Sequence, residues 1–214
     1  MKDSFEGMAL CALGLEKVLN NELGKIGLEV AGRAPGRVFF RADLKGLFRA
    51  NLELRTAERI LLVAARYAAP DFDALFEGAR RPVWERFFHR EDRLVIERVR
   101  SRESRLEAQT SIQSVVHKAI YERLGKFYKI GRLPETGRTR SLRVYLERDE
   151  CVIGLDLSGE ALHKRGWRKA AGEAPLKETV AAGVLLLAGW NRRLPLQSLK
   201  SAFTSKKMPS LAAA

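Results

Sequence analysis

The sequence has little with which to build a metal centre, a membrane anchor or a familiar catalytic site. Only two cysteines occur among its 214 residues, Cys11 and Cys151. Each sits in an apolar, strand-like run with no partner at metal-ligand spacing, so both read as small buried hydrophobes. His89, His117 and His163 likewise have no companion at ligand spacing, and no metal is expected. No apolar run approaches the roughly 20 residues needed to cross a bilayer. The longest, Val180 to Trp190, is interrupted by Gly183 and Gly189, and Met1 to Gly7 carries charges but no signal-peptide core, so a cytoplasmic protein with no membrane partner is expected. A nucleophile elbow, a Walker loop and a dinucleotide glycine fingerprint are all missing. Adjacent carboxylates occur at Glu91-Asp92 and Asp149-Glu150, where a solvated surface is the simpler reading. Nothing in the residues makes a positive case for catalysis.

What the chain does have is positive charge. The formal net charge is +13, and residues 158–214 carry 10 basic against 3 acidic side chains, which places over half of the excess in that last stretch. Such a balance points to nucleic acid or another polyanion. A second local bias lies further upstream, where Lys118, Arg123, Lys126, Lys129, Arg132, Arg138, Arg140 and Arg143 face only Glu122 and Glu135. Cations that reach phosphates, with planar groups for unpaired bases, are what RNA binding needs. Lys118, Lys126, Lys129, Arg138, Arg140 and Arg143, with Tyr145, could supply them along one helix and the outer side of a hairpin. A solvated face that keeps the protein soluble would have the same composition.

With 46% apolar residues, the chain has material for one or two domains with real cores. The first third reads strand, helix, strand, strand, helix, strand. Phe5 to Cys11 is a short apolar run, and Leu15, Val18, Leu19, Leu23 and Ile26 then recur at helical spacing up to Gly27, where a helix should stop. Leu28 to Val30 and Val38 to Phe40 form a hairpin, Asp43 can cap a helix through Leu52, and Ile60 to Tyr67 returns as a buried strand. This order is that of a ferredoxin-like unit. Ala69-Pro70-Asp71 marks a boundary, with Asp71 placed to cap the next helix. A second short helix is expected around Pro82, Trp84, Phe87 and Phe88, then a strand with Leu94 and Ile96 on one face and Val95 and Val99 on the other. Ile112, Val115, Val116, Ala119, Ile120, Leu124 and Phe127 make one apolar helical stripe. Ser111, Gln109 and Gln113 lie near the start of that helix, where either a phosphate or ordinary capping by Thr110 or Ser111 would satisfy the free N–H groups. Leu142, Val144 and Leu146, alternating with Arg143, Tyr145 and Glu147, then form a hairpin with Cys151 to Leu157 across Asp149-Glu150.

The basic stretch Leu162-His163-Lys164-Arg165-Gly166-Trp167-Arg168 comes next, followed by Ala174-Pro175-Leu176-Lys177-Glu178-Thr179. Pro175 suits the first position of a helix and Glu178 its first turn, so a basic loop feeds a helix N-terminus and both favour anions. Lys164, Arg165 and Arg168 are expected either to touch RNA backbone or to order the junction. Trp167 reads as a packed anchor ahead of a stacking platform.

These two strings closely resemble the junction between the THUMP RNA-binding domain and the methyltransferase domain of bacterial large-subunit ribosomal RNA methyltransferases, which modify guanine N2 with S-adenosylmethionine. The likeness reaches back through Asn51-Leu52-Glu53-Leu54-Arg55-Thr56-Ala57-Glu58-Arg59 and Ala108-Gln109 to Ala119-Ile120, and covers roughly Phe5 to Leu196. It implies an α+β chain divided into a ferredoxin-like domain (1–67), a THUMP domain (68–157), a basic linker (158–174), the first helix of an incomplete Rossmann-like methyltransferase domain (175–196) and an unrelated, disordered tail (197–214). It places Pro175, Leu176, Lys177 and Glu178 at the edge of the cofactor site. The acidic glycine-rich loop and the Asn-Pro-Pro-Tyr motif that complete such an enzyme are absent, and Gln197-Ser198-Leu199-Lys200 stands where the loop should begin. The chain is therefore expected to be the RNA-binding front of a methyltransferase, cut by a gene break, frameshift or fragmentary assembly. It should bind RNA, with rRNA ahead of tRNA, and no cofactor by itself. The alternatives are a split enzyme completed in trans by a separately encoded catalytic domain and a standalone RNA-binding adaptor.

Overall fold

Apolar residues that alternate or recur at helical spacing set the elements, and side-chain caps set several of their ends. The computed structural model describes residues 4–166 and 176–190. The first unit runs β1 (Phe5–Leu10), α1 (Glu16–Lys25), β2 (Glu29–Ala34), β3 (Arg37–Ala42), α2 (Leu44–Glu53) and β4 (Arg59–Ala68), as the periodicity predicts. Asp43 starts α2 by accepting from the Gly46 N–H at 2.8 Å. Asp71 does the same for α3 (Phe72–Arg80), accepting from Ala74 N–H at 2.8 Å. Then follow β5 (Arg93–Arg102), α4 (Gln109–Tyr128), β6 (Thr139–Glu147), β7 (Glu150–Asp156) and α5 (Glu178–Leu187). The hairpin turn falls at Arg148 and Asp149, one residue earlier than expected, both with positive φ (52° and 60°) as a primed turn demands.

The seven described strands join one sheet in the order β2-β3-β1-β4-β7-β6-β5. The antiparallel pairing of β4 with β7 carries it across the boundary expected at 67/68. Only β5 and β6 run parallel among the described strands. Helices α1 to α4 cover one face and share the main core, with Leu19, Phe40, Ile60, Trp84, Ile120 and Ile153 among its buried members. The helix-free face holds a second, smaller core of Met8, Phe39, Leu61, Tyr145 and Val152. That face is concave. β3 and β6 are four strand spacings apart, about 19 Å in a flat sheet, yet Arg37 on β3 pairs with Glu147 on β6 and lies 4.9 Å over the Tyr145 ring. Arginine and glutamate side chains cannot span that gap, so the sheet curls until the two strands face one another. Register breaks between Val30 and Gly32, Val63 and Ala65, and Ile96 and Arg98 supply the bend.

Several expectations are corrected. The segment around Trp84 is a single 3-10 turn, Trp84–Arg86, held by the indole N–H on Ala79 O at 2.7 Å. Val99 does not oppose Leu94 and Ile96, because the bulge resets the alternation and returns it to the same core. Arg143 and Tyr145 are not an outer side: with β6 enclosed on both faces they are 8% and 7% exposed. Phe127 leaves the apolar stripe and is 54% exposed, and Asp92 is buried under Arg140. Helix α4 starts at Gln109 with Ala108 at its cap and no side-chain cap from Thr110 or Ser111, while Gln113 donates to Ile96 O at 3.2 Å. The apolar helix expected over Leu176 to Trp190 is regular from Glu178 to Leu187. Trp167, Arg168, Pro175 and the tail from 197 lie outside the described residues.

One close approach yields a sharp test. Helix α3 lies against β4 where a Cβ on Gly78 would come within 2.1 Å of the Tyr67 ring, and the Tyr67 hydroxyl is held by Leu75 O at 2.9 Å. Gly78→Ala should destabilise the fold by about 1–3 kcal/mol through overpacking. Gly24→Ala, at an α1 position with nothing within 4 Å, should instead be neutral or stabilise it by up to about 1 kcal/mol. Urea midpoints of the two variants check this; equal shifts would contradict the packing.

Candidate nucleic-acid interface

The curl turns one end of the concave face into a cleft of about 450 Å³. One wall is β5 and β6, with Arg98, Arg100, Arg102, Arg143 and Tyr145. The opposite wall is the β1 end, the Pro35-Gly36 turn, Arg37 and Arg59, and Ala161, His163 and Lys177 close one side. Glu58 is the one carboxylate among the lining residues. Local sequence explains the arginine wall. The bulge at Ile96/Arg98 puts Arg98 on the same face as Arg100 and Arg102, where they stand opposite Arg143, Tyr145 and Glu147 of β6.

The cations divide into two groups. Arg143 donates to Asp156 at 3.1 Å and to Glu97 at 2.7 Å. Burial alone would lower its pKa, but Asp156, with Tyr145 and Glu97, raises it. Arg59 shares Asp156 at 2.7 Å, Arg37 holds Glu147, and Lys177 holds Glu58 at 3.0 Å. These brace the walls. Arg98, Arg100 and Arg102 are exposed and form no ion pair among the described residues, so the cleft keeps an excess of positive charge. The Arg37 Nε is buried on the cleft wall without an acceptor. Cys11 also lines the cleft, but burial, helped by Glu16 and Glu58, pushes its thiol up to about 12, too high for a nucleophile. Burial pushes the Cys151 thiol up to about 12 as well.

The structure scatters the residues named from sequence. Lys118 sits on α4 at 3.9 Å from Glu122, and Lys126 lies further along the same helix, beside Arg81, Arg123 and Glu85. Lys129 is the left-handed C-cap of α4. Arg138 is exposed just before β6, its carbonyl accepting from Arg93 N–H. Arg140 is engaged by Asp92, whose carboxyl is held low because the His89 N–H and Arg140 outweigh its burial. Of the expected RNA contacts among the described residues, only Arg143 lines the arginine cleft, and its guanidinium is already committed there. Arg98, Arg100 and Arg102 escaped notice, although their spacing of two within a strand, Arg98-Val99-Arg100-Ser101-Arg102, was the available signal.

Arg165 is engaged within the protein. Its guanidinium donates to the carbonyls of Asn51 (2.7 Å), Leu52 (2.5 Å), Leu54 (2.8 Å) and Leu162 (3.1 Å), satisfying the open C-terminal end of α2. Leu162 N–H also reaches Glu58 O at 2.9 Å, and Ser158 donates to the Asn51 side chain at 2.8 Å. From the other side Glu22 accepts from the Thr56 N–H and hydroxyl. Two strings more than a hundred residues apart in sequence, Asn51 to Arg59 and Leu162 to Gly166, therefore interlock. Lys164 is exposed beside this lock. Helix α5 then packs on α1, where a Cβ on Gly183 would come within 2.6 Å of Leu15, leaving Leu176, Val184 and Leu187 exposed. Leu176, Lys177 and Glu178 stand at its start. Among the described residues no cluster of His, Cys, Asp and Glu could hold a metal, and no helix is long and apolar enough to cross a membrane.

The chain is similar to known proteins over most of its length. A family profile described as RlmL ferredoxin-like domain matches residues 6–61. The chain is similar to the ribosomal RNA large subunit methyltransferase K/L of Methylococcus capsulatus, 39% identical over 180 residues that make up 83% of this chain and 24% of that protein. The protein of the same name from Ectopseudomonas mendocina is 36% identical over 90% of this chain and 26% of its own length. Among solved structures, a possible methylase from Clostridium difficile 630 superposes with a TM-score of 0.83 at 35% identity, covering 88% of this chain and 50% of that one. The chain thus spans between a quarter and a half of the relatives it matches.

The lock gives a direct test. Arg165→Ala should cost about 2 kcal/mol by leaving carbonyls at the end of α2 without donors, and Arg165→Lys should not restore it, because an ammonium cannot present the same fork. Lys164→Ala should change stability by less than about 0.5 kcal/mol. Denaturant titration measures all three; an Arg165→Ala variant as stable as the parent would contradict this role.

Proposed function

We propose that the chain belongs with the bacterial large-subunit ribosomal RNA methyltransferases, whose ferredoxin-like profile and K/L relatives it matches, and that it is the RNA-gripping front of a guanine-N2 methyltransferase. On this reading residues 68–157 are a THUMP domain, 158–174 a linker, and α5 the first helix of a Rossmann-like catalytic domain. The complete enzyme works in the cytoplasm and takes its methyl group from S-adenosylmethionine, a cofactor class supported by the solved relative SMU.472 complexed with SAH. The chain alone binds structured rRNA and does not turn over.

The observation that carries the proposal is the cationic cleft between the first unit and the second. Its unpaired arginines can neutralise phosphates, and its side is closed by Ala161 and His163 of the linker together with Lys177 at the start of α5. RNA held there lies next to whatever follows α5. A second reading, a catalytic domain supplied in trans, would dock on the bare apolar flank of α5. Leu187 is 65% exposed and Val184 42%, as expected of a helix that awaits a sheet. A standalone adaptor would have covered both residues.

Filter binding of labelled large-subunit rRNA fragments to the purified chain at several salt concentrations tests the proposal. Affinity should fall steeply as salt rises, and added S-adenosylmethionine should neither bind nor label the RNA. Affinity indifferent to salt would contradict it. Crosslinking in cells would separate rRNA from tRNA as the partner.

A further inference from the structure

Arg98, Arg100 and Arg102 leave one face of β5 every second residue, a repeat of about 6.7 Å along an extended strand, close to the distance between successive phosphates of a stretched nucleic-acid chain. All three are exposed and without ion pairs among the described residues, whereas Arg37, Arg59 and Arg143 around them are balanced by Glu147, Asp156 and Glu97. β5 is also the last strand of the sheet, so one of its sides is open.

We infer that this cleft seats an unpaired, extended stretch of RNA and grips it phosphate by phosphate along β5, an inference that rests on the RNA-binding reading above and specifies which feature of the RNA is held. Three observations select a single strand. The cleft holds about 450 Å³, within the range of about 300–1,000 Å³ typical of small-ligand sites, which is room for a nucleotide or two. Its cations line a concavity walled by the Pro35-Gly36 turn on the far side, a shape that an extended strand can follow. The aromatic side chain in the cleft, Tyr145, is 7% exposed and covered by Arg37 at 4.9 Å, so no base can stack there. Recognition falls on the backbone and is indifferent to sequence. The buried Arg37 Nε, without an acceptor, marks the same wall as one donor short of a partner.

Fluorescence anisotropy with the full chain tests this, using a labelled oligouridine of about 12 nucleotides, within the usual range of single-strand site sizes, and a blunt RNA duplex of the same length. The oligouridine should bind at least tenfold more tightly than the duplex. The combined variant Arg98→Gln, Arg100→Gln, Arg102→Gln should lower the slope of log affinity against log salt by about 2, at about 0.7 per lost contact. Arg100→Gln alone should lower it by about 0.7, and the control Lys126→Gln, Lys129→Gln, on α4, should leave it unchanged. A triple variant with the parental slope, or a parent that prefers the duplex, would overturn the assignment of the cleft while leaving RNA binding intact. Failure of the parent to bind either RNA at low salt would overturn the RNA-binding reading and this inference together. Circular dichroism melts that match the parent establish that the variants fold.

Discussion

The curl of the seven-stranded sheet is the constraint on which the rest depends. It is held from inside by Met8, Phe39, Leu61, Tyr145 and Val152, drawn from five strands, and at one end by Arg37 between Glu147 and the Tyr145 ring. An antiparallel sheet with helices on one side ordinarily leaves its other face to water. Here that face closes on itself, and charges brought by distant strands meet. Most of them neutralise one another: Asp156 alone accepts from Arg59 and Arg143, with 1% of its side chain exposed. Taking such ions out of water is costly unless each finds a partner, which accounts for the density of carboxylates beneath the arginines. The three arginines of β5 lie at the mouth, where solvent lowers that cost, and they give the concavity its sign.

The second constraint is the interlock of the α2–β4 connection with the segment after β7. Arg165 replaces the missing donors at the end of α2, Glu22 holds Thr56 from the opposite side, and Lys177 reaches Glu58. A guanidinium suits this task, since it offers five donors to several carbonyls at once and its charge survives partial burial. Burial does pull the Arg165 pKa down from its ordinary value, but Glu22 opposes the shift. Leu162 to Gly166 and the start of α5 are thereby each tied to the first unit, so the cleft and the start of α5 keep a defined relation. The shared Asn51 to Arg59 string makes physical sense as this socket.

Much of the fold could be read from the chain. The first six elements follow from apolar spacing, and the caps at Asp43 and Asp71 fell where short polar side chains precede apolar runs. Periodicity failed at the bulge of β5, because one extra residue shifts every later side chain to the other face, and Val99 and Arg98 exchanged sides with it. It failed again for Arg143 and Tyr145: alternation says which residues share a face, not whether that face is covered, and the curl is a property of strands far apart in sequence. The basic string at Leu162 to Gly166 was noticed for its charge, yet what distinguishes Arg165 is the set of carbonyls it meets, which no composition reveals. The arginines of β5 were hidden because carboxylates in the same segment balanced the count.

The central claim is that β3 and β6, four strands apart, face each other across the concave side. A double-mutant cycle on Arg37 and Glu147, read by chemical denaturation, measures that contact most directly. Arg37→Ala and Glu147→Ala should show a coupling energy of at least about 1 kcal/mol, as for neighbouring charges in a shared network. Coupling within error of zero would mean that the two residues do not meet, that the sheet is open, and that the cleft built on its curl does not exist.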